Sequence, residues 1–231
     1  MLTRVHALSL SAAASALLIA GCGSSSSGNG VASKSAQEIA KTAINAAGAA
    51  QSVHMSGTVE NGGHALRLDA KVNVEKSLEG EFTQDGYSFK IIVVDGNAYL
   101  NGKGAFEHFG NPAFTKLLNG RWLQIPASDP EFHAFSQFTH LHELFKLPSE
   151  HPSLTKLGES TINGQKVIGV RDNSKGGVLY VATTGTAYPV AITKAVGSNQ
   201  ILTFGDWNAT FKITAPKNSI NLSELTSGTG K

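Results

Sequence analysis

Hydrophobic and polar residues alternate along much of the chain, and this period of two predicts β-strands. Between residues 65 and 75 every second residue is apolar, starting at Leu66, and the residues between them are charged or polar. Residues 53–60 follow the same pattern, and Asn61-Gly62-Gly63 predicts a turn between the two runs. Strands with one apolar and one polar face are typical of an antiparallel sheet that is solvated on one side.

The alternation continues as two groups of strands, which we interpret as two antiparallel meanders. The first group adds residues 78–84, 87–94 and 98–101, with a tight turn predicted at Asp95-Gly96. The second group runs from Leu157 to Phe211. Its predicted strands lie near Lys166–Arg171, Val178–Ala182, Val190–Ala195, Gln200–Asp206 and Ala209–Ile213.

Helical periodicity appears before the first meander and between the two. Ser35 and Glu38 form a capping box at the start of an alanine-rich helix that reaches residue 50. Between the meanders, residues 111–118 predict a short helix and residues 121–125 predict a strand or extended segment. A longer helix begins with Asp129 as N-cap and Pro130 at the first helical position, and it ends before Pro148.

The longer helix is rich in aromatic residues. Seven of the eleven phenylalanines lie between Phe106 and Phe145, and one broad helix face carries Phe135, Phe138, Leu141, His142 and Phe145. An apolar face of this size has to be covered by the sheet, a ligand or a membrane. Two interpretations stay open: the helix packs into an ordinary core, or it lines a pocket.

The first 21 residues have the pattern of a secretory signal. A basic residue, Arg4, precedes an apolar core at residues 8–20, and small residues stand before Cys22, the only cysteine. The apolar run is too short to span a bilayer. Residues 23–34 are nearly all Gly, Ser, Asn and Ala, which predicts a flexible tether. The resulting organisation is a signal at 1–21, a tether at 22–34, one domain at 35–225 and a disordered tail at 226–231.

Ile19-Ala20-Gly21-Cys22 resembles the lipobox of bacterial lipoproteins. The resemblance implies cleavage before Cys22 and attachment of a diacylglyceryl group to its thiol, with palmitate as an expected acyl group. Two acyl chains are enough for durable membrane attachment. The alternative is an ordinary signal followed by a chance cysteine.

Charge and motif content argue against several classes of function. The chain has 19 Lys and Arg against 17 Asp and Glu, and it contains no long basic run, so we expect no nucleic-acid partner. It lacks a G-x-S-x-G nucleophile motif, a phosphate loop and an HExxH pair. The spacing of His133, His140, His142 and His151 does not bring three zinc ligands together. We therefore expect no enzyme, metal or cofactor, with a hydrolase as a distant alternative.

The whole pattern resembles the mycobacterial LppX/LprG-type lipoproteins, whose fold is shared with the carriers LolA and LolB. The most telling local matches are INGQKVIGV, GVLYVATTGTAYPVAIT and ILTFGDWNATFKITAP, with a corner at Trp207-Asn208 and the last strand ending at Pro216. The resemblance implies an α+β fold in which a strongly curved antiparallel sheet forms an unclosed barrel. Helices would cover its concave face and leave an apolar cavity for acyl chains.

The expected function is that of a lipoprotein anchored through Cys22 on the extracytoplasmic face of the cell membrane. It would bind acyl chains of lipids or glycolipids and take part in their transport across the envelope, with an envelope transporter as a further partner. The rival hypothesis is an interaction or sensory module with the same fold and a filled core. The predicted lipid-binding residues are Leu66, Leu68, Val72, Val74, Phe82, Phe89, Ile91, Val93, Phe135, Phe138 and Phe145.

Overall fold

The computed structural model describes most of the predicted domain. The described residues are 28–61, 63–109, 120–130, 139–140, 153–198 and 201–222, with Lys116, Leu118, Phe132 and Glu224. The predictions for the signal, Cys22 and most of the aromatic helix, including Phe135, Phe138 and Phe145, lie outside these residues. So does most of the short helix predicted at residues 111–118.

Twelve strands of the described residues form one sheet. They are β1 (Ser52–Asn61), β2 (His64–Asn73), β3 (Ser77–Gln84), β4 (Tyr87–Val94), β5 (Asn97–Asn101), β6 (Trp122–Pro126), β7 (Leu154–Ile162), β8 (Gln165–Asp172), β9 (Val178–Ala182), β10 (Pro189–Thr193), β11 (Ile201–Gly205) and β12 (Ser219–Asn221). The order across the sheet is β12-β6-β5-β4-β3-β2-β1-β11-β10-β9-β8-β7. All neighbouring strands are antiparallel except β12 and β6. The sheet is unclosed, with β12 and β7 at its edges, which confirms a large antiparallel-rich sheet.

The two predicted meanders are joined by pairing between β1 and β11. Residues His54–Gly57 of β1 pair with Leu202–Gly205 of β11, while β1 pairs with β2 along its whole length. The five strands predicted for the first meander are confirmed, and so is the strand predicted at residues 121–125. In the second meander the strands near β8, β9, β10 and β11 are confirmed, and β7 begins at Leu154 rather than Leu157.

The predicted strand Ala209–Ile213 is wrong. β11 is already paired with β1 on one side and β10 on the other, so a strand that follows it finds no free edge there. Residues 206–218, which we call the strap, instead cross one face of the sheet. Ser52 Oγ donates to the Ala209 carbonyl at 2.5 Å, and Asn73 Nδ2 donates to the Phe211 carbonyl at 3.0 Å. Pro216 therefore ends no strand, and the chain continues from the strap into β12.

The first helix, α1 (Ala36–Ala49), forms as the capping box predicts. Ser35 Oγ accepts a hydrogen bond from the Glu38 backbone, and the Glu38 carboxylate accepts one from the Ser35 backbone at 3.0 Å. The buried side of α1 is made of Ile39 and alanines, whose small side chains let the helix lie close to the sheet. It packs on β8 and β9 beside Ile168 and Val181.

Alternation along the strands gives the sheet two faces. We call the face that carries Val53, Val72 and Leu78, and on which α1 packs, the helix face. The other face, which the strap crosses, is the opposite face. On the opposite face Ile213 of the strap packs against Ile92, Val94 and Tyr99. Cover of a concave face by helices stays a prediction, because α1 occupies only part of the helix face.

Besides β12, two features of the fold were not predicted from the sequence. The first is a second helix, α2 (Lys103–Phe109), which follows β5 and places the His108 ring 4.1 Å from the Tyr87 ring of β4. The other is the packing of residues 28–34. Val31 is 1% exposed in the cluster beneath α1, and Asn29 Nδ2 donates to two carbonyls of residues 182–185. Residues 28–34, predicted as part of the tether, therefore belong to the folded domain.

Candidate functional site

The helix face brings together the eight predicted lipid-binding residues that the structure describes. All eight belong to, or pack against, one hydrophobic cluster: Leu66, Leu68, Val72, Val74, Phe82, Phe89, Ile91 and Val93. Strand register places them in rows across the sheet. Leu68 lies opposite Phe82, and Phe82 lies opposite Phe89, with their rings stacked at 5.5 Å. The period of two was the signal that located these residues.

Burial along the helix face is graded. In one row, Val72 and Leu78 are 0% exposed, and the neighbouring Val93 is 4% exposed. Toward the other end of the same strands, Leu66, Leu68 and Phe89 are only partly buried, although they pack against the same cluster. The helix face is thus tightly packed at the Val72 row and incompletely covered near Leu66.

A crevice opens beside the incompletely covered end of the helix face. It has a volume of about 480 Å3 and lies between the outer part of the β1–β2 hairpin and β10. Its lining residues are Thr58, Val59, Glu60, Gly63, Ile192, Thr193, Lys194 and Leu202. Ile192 and Leu202 also pack against the helix-face cluster, so the crevice and the apolar face are continuous. Sequence reasoning missed this feature, although Gly57 interrupts the alternation of β1 at this point.

The opposite face offers a groove of different chemistry. This groove has a volume of about 340 Å3 and is lined by Asp69, Lys71, Glu79, Gly80, Glu81, Lys90, Ile92 and Trp122. Five of its side chains carry charge, and charged groups lose favourable hydration when an apolar chain covers them. Of the two grooves, the crevice on the helix face is the one suited to an apolar ligand.

Three described histidines lie next to carboxylates, and His54 contacts two of them, because its Nδ1 also lies 3.5 Å from Asp206. His54 Nε2 lies 3.0 Å from Asp69, His64 Nδ1 lies 3.0 Å from Asp85, and His140 Nδ1 lies 2.6 Å from Glu75. Within the described ranges, no group of three His, Cys, Asp or Glu could hold a metal ion. His133, His142 and His151 lie outside those ranges.

Perturbed titratable groups lie away from the helix face. Burial raises the pKa of Tyr99, which faces the strap, and the negative charge of Asp95 adds to the effect. Hydrogen bonds from Ser35 lower the pKa of Glu38 at the start of α1. Hydrogen bonds from Ser174 lower the pKa of Asp172 at the end of β8. Among the described residues, the groups with a shifted pKa therefore lie outside the apolar cluster of the helix face.

Comparisons with known proteins give only distant structural likenesses. No family model matches the chain, and no curated protein matches it. An uncharacterized conserved protein from Thermus thermophilus is 11% identical with a TM-score of 0.38, covering 80% of this chain and 98% of that one. The Pseudomonas aeruginosa MucA/MucB complex gives 14% identity and a TM-score of 0.33, covering 82% of this chain and 60% of that one.

A LolA superfamily protein from Nitrosomonas europaea is 9% identical with a TM-score of 0.26, covering 78% of this chain and 95% of that one. Likenesses at this level assign neither a family nor a ligand. Among the described residues, no helix is both long enough and apolar enough to cross a membrane.

Proposed function

We propose that the protein is a membrane-anchored, extracytoplasmic lipoprotein that binds acyl chains of lipids or glycolipids on its helix face and takes part in their transport. The observation that carries this proposal is the graded burial of that face. A continuous apolar surface runs from the packed Val72 row to the partly buried Leu66 and Leu68, where it meets the crevice. At one end, the described side chains of the protein cover this apolar surface only partly.

The energetics of acyl-chain burial suit this surface. Each methylene that leaves water contributes about 0.8 kcal/mol, so a chain that covers the open end would gain several kcal/mol without covalent chemistry. The same burial would shield Leu66, Leu68 and Phe89 from water. The charged groove on the opposite face offers no comparable gain.

The anchor belongs to the proposal on sequence grounds. The lipobox-like tetrapeptide ends at Cys22, and residues from 28 onward pack against the domain. The Gly- and Ser-rich sequence predicts a linker at residues 22–27, and a flexible chain of that length would have a root-mean-square reach of roughly 13 Å. The domain would therefore stay close to the membrane surface and would receive or deliver its lipid locally.

A second candidate function is an interaction or sensory module with a filled core. The observation that favours it is the Val72 row, where Val72 and Leu78 are fully buried and leave no room for a ligand. A larger residue at Val72 would cause overpacking under either hypothesis. The discriminating position is therefore Leu68, which lies on the same strand and is only partly buried.

The test compares lipid carried by the full chain and by two tryptophan variants purified identically from bacterial membranes. Leu68→Trp places an indole on the helix face, and the matched control Ser88→Trp places one at an exposed position of the opposite face of β4. Non-covalent lipid is extracted and counted per chain by mass spectrometry, and folding is followed by urea unfolding.

We expect about one lipid per chain in the wild type and in Ser88→Trp. We expect at least a twofold loss in Leu68→Trp with an unchanged urea midpoint. Equal amounts of lipid in all three proteins would mean that the lipid was carried over by detergent. Wild-type protein without stoichiometric lipid would fit the filled-core module. Either result would contradict the proposed function.

A further inference from the structure

Within the described residues, the pairing between β1 and β11 is much shorter than the pairing between β1 and β2. β1 pairs with β2 over ten residue pairs, from Ser52 to Asn61. Its pairing with β11 covers only His54 to Gly57. The crevice is lined by the outer part of the β1–β2 hairpin on one side and by β10 and Leu202 on the other.

Gly57 marks the point of separation. Its φ of 147° is disfavoured for residues with a side chain, and a Cβ added there would lie 2.0 Å from the Ile201 carbonyl oxygen. The two backbones thus meet very closely at Gly57, which is the last residue of β1 paired with β11 among the described residues. This geometry gives the crevice a fixed inner end.

The crevice has both apolar and polar lining residues. Val59, Ile192 and Leu202 supply an apolar lining, and the last two also pack against the helix-face cluster. Thr58 and Thr193 supply hydroxyl groups among the lining residues. An acyl chain with a polar end group can use both kinds of lining.

One ion pair bridges the crevice. Lys194, directly after β10, pairs with the Glu60 carboxylate of β1, and these side chains are 63% and 43% exposed. Exposed ion pairs of this kind stabilise a contact only weakly. The bridge can therefore hold the two sides together and still open on the timescale of ligand exchange.

We propose that this crevice is a lateral portal, bridged by Glu60 and Lys194, through which an acyl chain passes between the membrane and the helix face. The inference rests on the proposed function and adds the route by which the acyl chain reaches the helix face. The acyl chain slides over Val59, Ile192 and Leu202, and the polar end of the ligand stays at the Glu60–Lys194 rim. Opening the ion pair sets the exchange rate without changing the apolar surface that holds the chain.

The experiment measures exchange of a fluorescent fatty acid, 11-(dansylamino)undecanoic acid, with the full chain in detergent. The two tryptophans, Trp122 and Trp207, are excited, and energy transfer reports only the dansyl groups close to the protein. Stopped-flow mixing gives the uptake rate, and displacement by oleate gives the release rate. The variants are Glu60→Lys, Lys194→Glu and the double swap, with Lys90→Glu on the opposite face as a matched charge reversal.

Each single reversal turns the attractive pair into a repulsive one, so we expect uptake and release about two- to fivefold faster at unchanged final occupancy. The double swap restores the pair with opposite polarity and returns both rates to wild type, and Lys90→Glu does not change them. Val59→Phe, which adds no charge, fills the crevice and slows both rates at least twofold.

Rates that are the same in wild type, the single reversals and Val59→Phe would overturn the portal while leaving acyl-chain binding intact. Fast exchange that persists in the double swap would also overturn it, because the ion pair would then not control access. A wild-type protein without any energy-transfer signal would overturn the proposed function itself, and the portal with it.

Discussion

Replacing Gly57 with alanine adds a methyl group at the closest backbone approach in the β1–β11 pairing. The new Cβ would lie 2.0 Å from the Ile201 carbonyl oxygen and 2.9 Å from its carbon, whereas ordinary contacts begin at 3.4 Å. Relief of this overlap requires the two backbones to separate by more than 1 Å, and the φ of 147° adds strain of its own.

The magnitude of the Gly57→Ala effect follows from these two terms. Overpacking costs about 1–3 kcal/mol, and a residue held in a disfavoured backbone region costs about 1–3 kcal/mol. We expect a loss of about 2–6 kcal/mol in the free energy of unfolding, a large share of the 5–15 kcal/mol that is typical of a domain. β1–β11 pairing joins the two meanders, so the loss should appear as one cooperative transition.

The assay is urea unfolding of the full chain, followed by tryptophan fluorescence. Gly205→Ala is the matched control, because Gly205 lies in the neighbouring strand β11 and an added Cβ meets nothing within 4 Å. We expect the control to change stability by less than about 0.5 kcal/mol. Equal midpoints for Gly57→Ala and Gly205→Ala would refute the close approach on which the fixed inner end of the crevice depends.

Three further predictions concern the capping box of α1, the buried core of the helix face and the corner at Trp207. The pKa of Glu38 is lower in the folded protein than in the unfolded chain, so its stabilising effect is present above the unfolded pKa and is lost as pH falls through the folded pKa. Glu38→Gln should therefore reduce the loss of helicity in acid, measured by circular dichroism. Val72→Trp should lower the free energy of unfolding by about 1–3 kcal/mol in urea titrations, because the valine is fully buried. Trp207→Phe removes the indole hydrogen bond to the Pro189 carbonyl, at 3.1 Å, and should cost about 1 kcal/mol in the same assay.

Local patterns predicted the strands of both meanders because the period of two is a property of neighbouring residues. The capping box at Ser35 located α1 for the same reason. The pairing of β1 with β11 lay beyond such reasoning, because it joins residues about 150 positions apart and leaves no periodic signal. Without that pairing, neither the single sheet nor the crevice could be inferred.

Two misreadings have a common physical origin, in which tertiary packing overrides local pattern. Residues 209–213 alternate like a strand, yet the pattern arises because the strap also has an inner and an outer side. Residues 28–34 have the composition of a linker, yet Val31 enters the cluster beneath α1 and Asn29 bonds to the backbone near β9. At the candidate site, the eight described residues share one cluster on one face, as their alternation predicted, and the grading of their burial emerged only from the structure.

Photo-cross-linking with an acyl chain tests the central claim most directly. Bacteria that produce the full chain are fed a fatty acid with a diazirine group, irradiated, and the labelled positions are mapped by fragmentation of the purified protein. Binding on the helix face predicts labels at Leu66, Leu68 and Phe89, and none at their opposite-face neighbours Asp69 and Lys90. Labels spread evenly over both faces, or confined to the anchor peptide at Cys22, would contradict the account.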